Sequence, residues 1–159
     1  MTLSISQLRG DHEGGGRRFA IVASSFNQRI VSLLLEGAVE CLAGHGVAPA
    51  DLQVVRVPGA WEIPQALEEL AAGGRVDALI TIGVVIRGDT PHFDYICTEC
   101  SGGAGRVASK YRIPVSFGVL TCDTTQQAEE RAGGKGGNKG TEAALAALEM
   151  ASLFGKLRA

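Results

Sequence analysis

The chain has 159 residues, is 45% hydrophobic and 20% charged, and carries a formal net charge of −2. That length fits one domain with a sizeable core, and that balance fits a packed chain rather than a disordered one. A near-neutral charge without a basic stripe, and only 5% aromatic residues, offer little to a phosphate backbone or to stacked bases, so no nucleic-acid partner is expected.

Met1–Gly10 lacks a basic region followed by an apolar core, so no secretory signal is expected. No apolar stretch reaches the ~18–20 residues that cross a bilayer, so no membrane partner is expected either. Four cysteines without a secretion signal read as reduced thiols, and the cytoplasm is the expected location.

In chain order, Met1–Gly16 is polar and ends in glycine, and is read as an arm; residues 17–159 are read as a single domain. Phe19–Ala23 is a short apolar run that predicts a buried strand. Ile30, Leu34, Ala38 and Leu42 recur at helical spacing and predict a helix over Ile30–Leu42, stopped by Gly44 and Gly46. Leu52–Val57 reads as a second strand. Pro58–Gly59 turns the chain into a helix over Trp61–Ala72, with Pro64 tolerated in its first turn. Val76–Ile86 is a long β-branched run and a third strand. A helix follows from about Phe93 to Tyr111, against the low propensity of Gly102, Gly103 and Gly105. Pro114–Thr121 is a fourth strand. Thr125–Ala132 and Thr141–Leu157 are helices on either side of a glycine-rich bend.

Strands that alternate with helices predict an α/β fold: a three-layer α/β/α sandwich on a four-stranded parallel sheet, flavodoxin-like. Ligands of such sheets sit beyond the carboxyl ends of the strands. That rule gathers Ser24–Asn27, Pro58–Glu62, Arg87–His92 and the turn after Thr121 at one edge.

Each of these segments has a chemical reading and a plainer one. Gly88, Asp89 and Thr90 can offer backbone N–H groups to an anion at a helix N-terminus, although the Asp89 carboxylate must then point away. His92 supplies the residue type suited to proton transfer near neutral pH. The same stretch also suits an ordinary turn with Thr90 or Asp89 as cap. Arg131, Lys135, Lys139 and Glu142 share one bend, and an arginine fork can hold phosphate. The plainer reading is a solvated helix–helix bend. Trp61 beside Glu62 suits a heterocycle bearing hydroxyls, or else a core tryptophan beside a solvated acid. Phe26 can stack on a flat ring, while Asn27 is expected to cap the next helix. Cys97 and Cys100 form a CxxC, but no second pair or His pair accompanies it, so inert thiols are expected and no metal site.

Taken together and in order, SFN, VPGAWEIP, GVVIRGDTPHFDYI, PVSFGVLT and RAGGKGGNKGTEAA resemble the lumazine synthases, from about Phe19 to Leu157. The resemblance implies condensation of 5-amino-6-(D-ribitylamino)uracil with 3,4-dihydroxy-2-butanone 4-phosphate, without metal or cofactor. A non-catalytic flavin- or lumazine-binding shell protein is the alternative. By motif, Phe26 would stack on the pyrimidine and the backbone of Val84, Val85 and Ile86 would meet its edge. Glu62, with Ala60 and Trp61, would hold the ribityl hydroxyls. Gly88, Asp89, Thr90 and Arg131 would bind phosphate, and His92 would shuttle protons. Phe117, Lys139 and Glu142 would complete the pocket. The resemblance further implies a homo-oligomer with the site between adjacent subunits of a pentamer, Phe117 and Arg131 coming from the neighbour. An icosahedral capsid is expected because Gly133–Gly140 carries no insertion, and riboflavin synthase is an expected partner.

Overall fold

The apolar runs pair into a single parallel ladder. The computed structural model describes residues 2–159, and its main sheet has the order β2-β1-β3-β4. The strands are β1 (Phe19–Ser24), β2 (Leu52–Val57), β3 (Ala78–Ile86) and β4 (Val115–Cys122). β1 is central: Ile21 lies opposite Val54 on one side and Ile80 on the other. β3 pairs with β4 over eight positions, from Leu79–Val115 to Ile86–Cys122. The chain passes from β1 outward to β2 and then back across to β3, so the order reverses between β1 and β3. Of the expected arm, Met1 lies outside the described residues, and the rest up to Gly14 forms no helix or strand.

Among the described residues, five α-helices cover the sheet: α1 (Gln28–Gly44), α2 (Ile63–Gly73), α3 (His92–Tyr111), α4 (Thr125–Glu130) and α5 (Lys139–Arg158). Alternate strand residues feed opposite cores, as the pleat requires. Ile21, Ile80 and Ile82 pack with Leu34 and Leu42 of α1 and with Ala147 and Leu148 of α5. Ala20, Val22 and Leu79 pack with Ile63 and Leu67 of α2 and with Cys100 and Val107 of α3. Each large side chain buried this way contributes roughly 1.5–3 kcal/mol. This is the expected three-layer arrangement.

Several expectations are corrected in detail. The third strand begins at Ala78 rather than Val76. The second helix is preceded by a separate 3-10 turn at Ala60–Glu62, so Trp61 lies outside it. The glycine-rich bend contains an unforeseen antiparallel hairpin, β5 (Ala132–Gly134) and β6 (Gly137–Asn138). α5 starts at Lys139 instead of Thr141 because Asn138 caps it, its Oδ1 accepting from the Gly140 and Thr141 N–H groups at 2.8 and 3.2 Å. The glycines of α3 do not break it. Gly103 faces Pro64, where a Cβ would lie 2.5 Å from the proline ring, so the missing side chain is what brings α2 and α3 together.

The tightest approach between helices is at the start of α5. A Cβ on Gly140 would stand 1.9 Å from the Leu34 carbonyl oxygen of α1, and Asn138 Nδ2 donates to the neighbouring Leu33 carbonyl at 3.0 Å. Backbone cannot yield as a flexible side chain can. Gly140→Ala is therefore expected to destabilise the chain by about 1–3 kcal/mol. Urea denaturation measures this, and a midpoint equal to that of the parent would refute the close contact.

Candidate active site

The loops at the carboxyl edge are joined by hydrogen bonds that continue the sheet past its last residues. Ser25 and Phe26 N–H groups donate to the Val57 and Pro58 carbonyls at 2.8 and 3.2 Å, fastening the loop after β1 to the loop after β2. Asn27 Nδ2 donates to the Val84 carbonyl at 3.3 Å, fastening it to β3. The Arg87 N–H donates to the Cys122 carbonyl at 2.9 Å, fastening the β3 loop to the end of β4. Asn27 departs from expectation here. It occupies the cap position of α1 in a left-handed conformation, with φ of 58°, and its side chain makes no cap bond. Its amide bridges strands instead, which a residue tolerant of the left-handed region can do from a turn.

These loops enclose a cleft of about 890 Å³. Phe26, Ala60, Trp61, Glu62, Val84, Val85, Ile86, Gly88, Thr90 and His92 all line it. The aromatic rings stand on its rim, Phe26 72% exposed and Trp61 47% exposed, so Trp61 is not a core residue. Glu62 is half-buried and its Oε2 accepts from the Gly59 N–H at 3.0 Å. That bond fixes one carboxylate oxygen and leaves the other to meet a hydroxyl. Val84 is buried, while Val85 and Ile86 are half-buried at the floor.

Gly88, Asp89 and Thr90 are exposed and lead directly into α3, whose cap position is Pro91. No described side chain caps that helix, which corrects the expected Thr90 or Asp89 cap. The 20-residue helix thus begins at a wall of the cleft, His92, with no side-chain cap on its first N–H groups, while the Asp94 N–H donates to the Pro91 carbonyl at 2.9 Å. His92 is the first residue of α3 and is exposed.

Five predicted residues lie outside the cleft. Asp89 is exposed beside it but is not among its walls. Phe117 is 43% exposed on β4, an edge strand. Arg131 terminates α4, where Nη1 donates to the Gln127 carbonyl at 2.9 Å. Lys139 and Glu142 pair with each other at 2.6 Å on the first turn of α5. No lysine or arginine among the described residues lines the cleft.

The sequence reading missed other walls. Tyr95 and Ile96 line the cleft from α3, as does Thr125 from α4. Their signal was the helical repeat: positions three and four beyond His92 share its face. Thr125 opens α4 just past the turn after Thr121, which the strand-edge rule already brought to this edge, but no residue pattern marked it as a wall.

Burial pushes the Cys100 thiol up to about 12 and raises Cys97 as well, so neither favours the reactive thiolate. Among the described residues, no cluster of three His, Cys, Asp or Glu side chains is placed to hold a metal.

Comparison with known proteins by sequence matches nearly the whole chain. The sequence profile of the 6,7-dimethyl-8-ribityllumazine synthases matches residues 16–155. A protein of Aquifex aeolicus (strain VF5) named 6,7-dimethyl-8-ribityllumazine synthase is 57% identical over 143 residues, covering 90% of this chain and 93% of its own length. With the parallel sheet, the cleft at its carboxyl edge and this extent of identity, the chain belongs to the 6,7-dimethyl-8-ribityllumazine synthase family.

Proposed function

We infer that the protein condenses 5-amino-6-(D-ribitylamino)uracil with 3,4-dihydroxy-2-butanone 4-phosphate to 6,7-dimethyl-8-ribityllumazine, releasing phosphate and water in riboflavin biosynthesis. The observation that carries this reading is a single cleft that joins aromatic rims, a half-free carboxylate, an uncapped helix N-terminus and a histidine. The reaction joins an amine to a carbonyl, expels phosphate and closes a ring. It asks for placement of two substrates, a donor set for the leaving anion and one group that moves protons.

In this reading Phe26 stacks on the pyrimidine, whose edge meets the backbone of Val84, Val85 and Ile86. Glu62 takes ribityl hydroxyls beside Ala60 and Trp61. The N–H groups around Gly88, Asp89 and Thr90 hold the phosphate, with the Asp89 side chain turned to solvent. His92, next to that anion, moves the protons.

A phosphate ester meets no fixed cation among the described residues that line the cleft of one chain. Arg131, with Phe117, Lys139 and Glu142, is accordingly supplied by a second copy, and the site is shared across a homo-oligomeric interface. Two features support this: Phe117 is an exposed aromatic on an edge strand, and Arg131 keeps an accessible guanidinium away from its own cleft. A contact of that kind runs head to tail, and it closes into a ring when the rotation between neighbouring copies divides a full turn. Pentamers arranged as an icosahedral capsid suit the short hairpin at Gly133–Gly140. The cytoplasm suits four free thiols in a chain with no described helix long and apolar enough to cross a membrane.

Incubating the protein with both substrates is expected to yield the fluorescent lumazine, and absence of product would refute the reaction. His92→Ala is expected to lower kcat by up to about a hundredfold without abolishing it, since substrate placement survives. Steady-state kinetics decide this, and an unchanged kcat would remove the proton role. Arg131→Ala is expected to raise KM for the butanone phosphate far more than KM for the pyrimidine. Refolding a one-to-one mixture of the two variants should regenerate complete sites at roughly a quarter of the ring junctions. A mixture no more active than its components would place Arg131 and His92 in the same chain's site.

A further inference from the structure

Arg87 is not a wall of the cleft, yet it bonds to segments on both sides of the proposed phosphate site. Its Nε donates to Asp123 Oδ1 at 2.8 Å, in the turn between β4 and α4. Its Nη1 donates to Asp94 Oδ1 at 3.4 Å, in the first turn of α3. The guanidinium also lies 4.4 Å from the centre of the buried Phe93 ring, an attractive cation–π placement. One side chain thus spans the β3 loop, the start of α3 and the β4–α4 turn.

Two consequences follow for an anion at Gly88–Thr90. The first is geometric. Gly88 has open space where a Cβ would be, and Gly88, Asp89 and Thr90 are all exposed, so side-chain packing does little to hold this loop. Its shape depends on its two ends, and Arg87 secures both. The far anchor is itself braced, because Gln127 Oε1 accepts from the Asp123 N–H at 2.8 Å and the Gln127 N–H donates to Thr124 Oγ1 at 3.2 Å. The second is electrostatic. Asp94 sits in the first turn of α3, where a carboxylate competes for the same dipole that would attract an anion. Asp123 adds a second negative charge nearby. Arg87 pairs with both.

We propose that Arg87 is a positioning residue for the phosphate loop, holding the Gly88–Thr90 backbone between Asp94 and Asp123 and cancelling these two carboxylates beside the substrate's phosphate. This rests on the reading of that loop as the phosphate site. Lysine is a poor substitute, because a single ammonium cannot reproduce the planar fork that reaches two carboxylates and lies on a ring.

The test measures KM for each substrate and the inhibition constant of inorganic phosphate against the butanone phosphate. It compares the parent with Arg87→Ala, Arg87→Lys and the triple variant Arg87→Ala/Asp94→Asn/Asp123→Asn. Arg87→Ala is expected to raise the phosphate inhibition constant and the butanone-phosphate KM together by about fivefold, the scale of an exposed charge network, with the pyrimidine KM unchanged. Arg87→Lys should give about a twofold rise. The triple variant should regain part of the lost phosphate binding, because the two uncompensated charges are gone. Equal rises in both KM values, or no recovery in the triple variant, would overturn the proposal. Should Arg87→Ala fail to fold, Arg87→Lys decides, and an unchanged inhibition constant there rejects the fork. A parent enzyme that inorganic phosphate does not inhibit at all would instead remove the phosphate site itself, and Arg87's role with it.

Discussion

Every feature of the cleft descends from the parallel pairing of β1 with both β2 and β3. Parallel strands send all their carboxyl ends to one edge, so each strand delivers its following loop to the same place. Reversal of strand order at β1 then separates the two outgoing loops. The chain leaves β1 for α1 on one face and leaves β2 for α2 on the other. The gap between those departures is where Phe26 and Glu62 meet the end of β3. The ladder does not stop at the strand ends. Bonds from Ser25, Phe26 and Arg87 prolong it into the loops, and Asn27 crosses to Val84. The cleft is consequently framed by backbone whose position the sheet dictates.

The sheet supplies placement and helix dipoles, but among the described residues of one chain it supplies no cation at the cleft. The arginine that suits a phosphate terminates α4, held to the Gln127 carbonyl, and the aromatic Phe117 is exposed on the edge strand β4. On the proposed reading, in which a second copy completes the site, catalysis is coupled to assembly. On that same reading, a dissociated subunit would keep the groups proposed to stack and to bind hydroxyls and lose the proposed counter-charge for the leaving phosphate. Arg87 belongs to a different level, since its charge is spent on Asp94 and Asp123 within the chain.

Glycine does unequal work across this fold. At Gly103 and Gly140 its missing side chain allows helices to approach. At Gly88 there is ample room, and absence of a side chain instead leaves the backbone open to a ligand. A count of glycines in the sequence cannot separate these uses, because both appear as gaps in an apolar pattern.

Residue pattern alone determined the α/β class, the number of main strands and the edge at which a site would form. The apolar runs at Phe19, Leu52, Val76 and Pro114 are short, β-branched and separated by helical repeats, and local periodicity carries that information directly. It also placed Phe26, Glu62, Gly88 and His92 on loops of one edge. Tertiary structure decided what depends on contacts between distant residues: that Asn27 bridges to Val84 rather than capping α1, that Asn138 starts α5 early by capping it against α1, and that Trp61 stands on a rim rather than in the core. It also showed that Arg131 and Phe117 lie away from the cleft of their own chain. Spacing along a sequence describes one chain's local geometry, and a residue's distance from a cleft built by other segments is set only when the sheet closes.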